Sequence, residues 1–118
     1  MYFINYNKCS TCKKAKKFLD DNNIDYIDRQ IKENNLTYDE IKEIISKYNI
    51  PIKKLFNTSG ILYREMDLKN KLFNMKEDEM IKLLSSDGML VKRPIIISDN
   101  NVFIGFKANK WIEELLDK

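Results

Sequence analysis

The sequence contains no histidine. That absence excludes Cys-His and Ser-His nucleophilic catalysis, together with every zinc site that draws on imidazole. Cysteine is almost as scarce, with Cys9 and Cys12 the only two. A pair three positions apart cannot staple a secreted scaffold, and two thiolates do not close a four-ligand zinc site within one chain. A zinc ion bridging two copies is the one such arrangement left open, and no resident metal or bound cofactor is expected. No apolar run approaches the ~20 residues of a membrane helix, so no membrane contact is expected. A basic-then-apolar leader pattern is missing at the N-terminus, which points to a cytoplasmic protein. No Gly/Pro/Ser-rich linker, internal repeat or low-complexity tract divides the 118 residues, so one domain is expected.

What is present is the composition of a globular chain, 43% hydrophobic and 33% charged. The net charge of +3 makes no case for direct nucleic-acid binding, which would want cations gathered on one face. Lys8, Lys13, Lys14, Lys16 and Lys17 are gathered near the two cysteines. They read either as a solvated helix face or as a positive potential that favours a thiolate and attracts anions.

The aromatic and β-branched run from Tyr2 to Tyr6 predicts a strand. A helix follows over Thr11 to Asn22, with Cys12, Ala15, Phe18 and Leu19 on one stripe. Alternation over Ile24–Asp28 predicts a second strand, parallel to the first through a right-handed crossover. Thr37 and Glu40 form a capping box ahead of a helix presenting Ile41, Ile44, Ile45 and Tyr48, which Asn49-Ile50-Pro51 ends. Short helical pieces are expected over 52–56, 62–66 and 68–73, and a further helix carries Met80, Ile81 and Leu84. Residues from about 36 to 88 therefore read as a helical insertion. Gly88 turns the chain. Pro94–Ser98 and Val102–Ile104 pair antiparallel across an Asp99-Asn100-Asn101 turn. Gly105 ends the last strand, and a helix from Lys107 to Lys118 places Trp111, Ile112, Leu115 and Leu116 inward, with Trp111 read as core. The order β-α-β, helices, β-β-α is that of an α/β, thioredoxin-like mixed sheet carrying an inserted helical subdomain.

Strand, Cys-x-x-Cys turn, helix is the context in which this motif signals thiol–disulfide chemistry. A cysteine at a helix start sees unpaired backbone N–H groups and the positive end of the dipole, and both favour a thiolate. Cys9, in the turn, is expected as nucleophile; Cys12, in the first helical turn and partly covered, as the resolving thiol. The competing reading is two small, inert core residues. Pro94 after Arg93 opens an inner strand, as a cis-proline or as an ordinary edge-strand proline. Arg64, Arg93 and Lys107 are each ordinary surface charges unless they converge on Cys9, where arginine forks would suit an oxyanion.

Three stretches, Asn7 to Ala15, Leu55 to Gly60 with Tyr63-Arg64, and Lys92 to Ile95, resemble the arsenate reductase (ArsC)/Spx family in order and spacing over the full length. The resemblance implies a thioredoxin/glutaredoxin-like fold with an inserted helical part and a cis-proline at Pro94. It implies that Cys9 attacks arsenate while Arg64, Arg93 and Lys107 hold the oxyanion, and that a thiol then releases arsenite. Dedicated enzymes of this type carry a histidine before the nucleophile and a third arginine, where this chain has Tyr6-Asn7-Lys8 and Lys107. They lack a counterpart of Cys12, which here suggests an internal disulfide cycle. The expected substrate is a small oxyanion or a protein thiol, and the external reductant thioredoxin or glutathione/glutaredoxin. Spx-like proteins share the Cys-x-x-Cys and Arg-Pro-Ile features. That alternative implies a redox-sensing transcriptional regulator whose partner is RNA polymerase, bound at the C-terminal domain of its α chain. The segment from Phe56 to Glu65 is more similar to the enzyme-like relatives.

Overall fold

A computed structural model describes residues 1–116. Its elements are β1 (Tyr2–Asn5), α1 (Ser10–Asp21), β2 (Ile27–Gln30), α2 (Tyr38–Lys47), α3 (Ile61–Glu65), α4 (Leu68–Lys71), α5 (Glu77–Ser86), β3 (Ile95–Ile97), β4 (Val102–Ile104) and α6 (Ala108–Trp111). They make a mixed four-stranded sheet in the order β2-β1-β3-β4, flanked by helices. The chain groups into two units, Met1–Arg29 with the chain from Arg93 on, and Gln30–Lys92.

The first unit is built on a row of side chains across the sheet. Phe3 stands opposite Ile96, and Ile96 opposite Phe103, through two antiparallel pairings. Side chains alternate between faces along a strand, so these three share one face. Ala15 and Leu19 of α1 and Trp111 of α6 close over them. Trp111 is 1% exposed and meets Phe106 edge-on at 4.7 Å between centroids. Such a pair adds about 0.5–1.5 kcal/mol beyond area burial.

Two expectations for this unit need correction. The second strand lies at Ile27–Gln30, displaced from Ile24–Asp28. Asn23 takes a left-handed φ of 55°, and Ile24 N–H returns to Leu19 O, so the segment after α1 is still closing the helix. Ile24 and Tyr26 pack on the core from this connection, and Ile27 is exposed. At the C-terminal end, α6 passes into a π-helix over Ile112–Leu116. Winding with i→i+5 bonds breaks the 3.6-residue stripe, so Leu115 reaches the core while Ile112 and Leu116 are exposed. The last two residues of the expected helix lie outside the described residues.

The second unit is helical apart from an isolated antiparallel bridge between Phe56 and Val91. Thr37 and Glu40 form the expected capping box on α2. α2 and α5 pack together, with Ile41, Ile44, Met80, Ile81 and Leu84 buried. Gly88 serves a close approach rather than a turn alone. A Cβ there would lie 2.5 Å from the Ile31 carbonyl oxygen.

Candidate functional site

The site grows from the junction of β1 and α1. After Asn5 the chain turns, and Cys9 N–H donates to Tyr6 O at 3.0 Å. Asn5 is itself buried, and its amide donates to Phe3 O and to Asp28 Oδ1 at 2.8 Å, which fixes the end of the strand. Cys9 is the N-cap of α1, in extended conformation, and its carbonyl accepts from Lys13 N–H. Helices usually place Ser, Thr, Asp or Asn there. This one offers a thiol, which lies outside full hydrogen-bond geometry with the N–H groups it faces, and its first turn holds no acidic side chain.

The two sulfurs have opposite surroundings. Partial burial pushes the Cys9 thiol up, but the Cys12 N–H and thiol, the Arg93 charge and the Thr11 N–H outweigh it. The net result holds Cys9 below its ordinary value. Cys12 is buried, and Tyr6 N–H donates to its Sγ at 3.5 Å. Burial foremost, with the neighbouring Cys9 thiol and charge, pushes Cys12 up to about 12 despite that N–H and Arg93. A Cys12 thiol that keeps its proton favours the ionised form of Cys9 beside it. Both cysteines are free thiols in this structure.

Arg93 is half-buried, and its guanidinium lies 5.4 Å from the centroid of the Tyr6 ring. A cation against an aromatic face is held there electrostatically. The Arg93–Pro94 bond is cis, and the Pro94 carbonyl accepts from Gly105 N–H at 2.7 Å. Gly105 has φ 79°, a left-handed value that favours glycine. Sequence reasoning passed over Tyr6, which both seats Arg93 and meets Cys12. Its signal was an aromatic residue between the strand and the motif.

The other expected cations are described each within its own unit. Lys107 is exposed at the N-cap of α6 and lines a separate hollow with Lys110. Arg64 belongs to the second unit, exposed in the last turn of α3. Lys16 pairs with Asp28 and Lys17 with Asp21, while Lys8, Lys13 and Lys14 stand exposed around the motif. Among the described residues no three His, Cys, Asp or Glu side chains could together hold a metal ion, and no helix is long and apolar enough to cross a membrane.

A family model described as the ArsC family matches residues 4–114. The chain belongs to the ArsC family. It is 44% identical over 108 residues to the uncharacterized protein YusI of Bacillus subtilis, covering 92% of each. A Bacteroides fragilis crystal structure described as ArsC family related superposes with a TM-score of 0.90 at 46% identity, covering 95% of this chain and 94% of that one. At greater distance, the global transcriptional regulator Spx 2 of Bacillus anthracis is 28% identical over 98 residues, 83% of this chain and 73% of the regulator. The ArsC-family chain thus carries the thiol pair, and its more distant relatives include transcriptional regulators.

Proposed function

We propose that this ArsC-family chain is a thiol-based oxidoreductase that reduces an oxyanion, arsenate or a close analogue, through an internal disulfide. The observation that carries the reading is the opposite displacement of two thiols three residues apart at one helix start. A low-pKa sulfur in a partly exposed turn is a nucleophile, and its buried, protonated neighbour is a resolving thiol.

In the proposed cycle the Cys9 thiolate attacks the As(V) centre and a protonated arsenate oxygen leaves as water, giving a thiol–arsenate adduct. Cys12 then passes its proton to an oxygen of the departing arsenic oxyanion and attacks Cys9 Sγ. The S–As bond breaks, and its electron pair leaves with arsenic as arsenite, so two electrons pass from the thiols to arsenic. The Cys9–Cys12 disulfide is returned to two thiols by an external dithiol, thioredoxin or the glutathione/glutaredoxin pair. Arg93 would supply charge to the bound anion, and Pro94 a structural role beside it. Arg64 and Lys107 enter through family resemblance alone. The cycle fits a reducing compartment such as the cytoplasm.

Arsenate-dependent NADPH oxidation, coupled through thioredoxin or glutaredoxin, tests the reading. Turnover that disappears in Cys9→Ser and falls by orders of magnitude in Cys12→Ser is expected. The similarity to Spx 2 favours one second reading, a redox-sensing regulator that binds the RNA polymerase α C-terminal domain. Redox-dependent capture of that domain without arsenate turnover would establish the second reading over the first.

A further inference from the structure

A second place in the first unit has the features of a recognition surface, independent of the thiols. β4 stands at the end of the sheet order, with β3 as its strand neighbour among the described residues. Ser98 N–H donates to Asn101 O, and Gly105 N–H to Pro94 O. Asn101, Phe103 and Gly105 therefore turn their peptide groups toward β3. In an antiparallel ladder this orientation alternates along the strand. Val102 and Ile104 consequently present their N–H and C=O groups at the outer edge.

That edge adjoins a hollow of about 180 Å³ lined by Val102, Ile104, Lys107, Lys110 and Trp111 among others. Edges are commonly guarded by charged side chains on the strand itself, by a bulge, or by a proline. Here the two outward-bonding residues are valine and isoleucine, both half-buried. The lysines instead follow the strand in the chain, line the same hollow, and are both exposed.

We propose that the β4 edge docks an extended, acidic segment of a partner protein by strand addition. Main-chain bonds to Val102 and Ile104 would set its register, an apolar side chain would enter the hollow against Trp111, and carboxylates would meet Lys107 and Lys110. Strand addition draws its affinity from such main-chain bonds and its specificity from pockets for alternate side chains. The charge complement fixes the class of partner and speeds encounter.

Trp111 is the single tryptophan, and it lines the hollow, so its emission reports occupancy directly. The probe is a synthetic acetylated peptide of alternating valine and glutamate, compared with its valine–lysine counterpart and with inorganic phosphate. A saturable change with the acidic peptide alone is expected, weakening with added salt. Lys110→Glu should weaken binding by about three- to tenfold and shift preference toward the basic peptide. Val102→Pro removes one outward N–H and should weaken the acidic peptide, while its folding is checked by thermal melting. Amide shifts at Val102 and Ile104 on titration give a second readout that needs no variant. Equal response to both peptides, saturation by phosphate at the same site, no saturable response, or unshifted edge amides would each overturn the proposal.

Discussion

Cys9 and Cys12 are the same side chain three positions apart, and their surroundings alone make them chemically different. Backbone N–H groups, a donated thiol proton and the Arg93 charge all act on Cys9. Alkylation rate against pH should give a midpoint for Cys9 below the ~8.5 of a free thiol. Arg93→Met removes the nearby charge and should raise that midpoint; an unchanged midpoint would leave the hydrogen bonds as sole cause. Cys12 also affects stability. Its folded pKa is raised to about 12, so the folded chain holds a proton that the unfolded chain releases from about pH 8.5 upward. Stability from this group is therefore complete below about pH 8.5 and falls as pH rises toward 12. Tyr26 acts in the same direction from about pH 10 upward, because burial and its 2.7 Å bond to Asp20 push its hydroxyl up to about 12. Cys9 has the opposite sign: its stability contribution is present above the unfolded thiol value and is lost as pH falls through its folded value. Urea midpoints at pH 7 and pH 10 should accordingly differ less in Cys12→Ala than in the parent chain.

Helix α1 gives up a conventional cap in order to start on a sulfur. Cys9→Asp would supply a carboxylate to the same N–H groups and is expected to raise folding stability by about 1 kcal/mol while abolishing thiol reactivity. Denaturant midpoints and alkylation measured on one sample separate the two effects. In the second unit, Gly88→Ala must displace the Ile31 backbone and is expected to cost about 1–3 kcal/mol. Elements whose signals are local were legible in the sequence. The start of α1, the Thr37–Glu40 capping box and the β3–β4 hairpin all lie within a residue or so of expectation, because caps and turn residues act over three or four positions. The displaced β2 was not legible, since the alternation at Ile24 and Tyr26 marks contact with the core and pairing begins only at Ile27. Nor was the π-helical end of the chain, whose winding no periodicity of 3.6 announces. The placement of Cys9 and Cys12 at the start of α1 was readable because the motif and the helix start lie within one turn. The seat of Arg93 on Tyr6 was not, because it depends on a pairing of β1 with β3 across most of the chain.

At the scale of the molecule, the first unit is assembled from the two ends of the sequence. β1 finds an antiparallel partner in β3, with Tyr2 opposite Ile97. The segment between, Gln30–Lys92, forms its own unit. Contacts of such long sequence separation are slow to form, because loop closure must precede them. The same register sets a sequence of events on the ribosome. At about 5–20 residues per second, several seconds separate the synthesis of Cys12 from that of Arg93. Until β3 emerges β1 lacks the neighbour that brings Arg93 to Tyr6, and Ile96, Phe103 and Trp111 are missing from the core behind α1. Stalled nascent chains that expose only the segment before Arg93 should therefore show a higher alkylation midpoint at Cys9 than released chains. If Cys9 is the nucleophile we propose, translation itself delays it: a half-made chain passes through the cell's oxidants and electrophiles with that sulfur still unarmed.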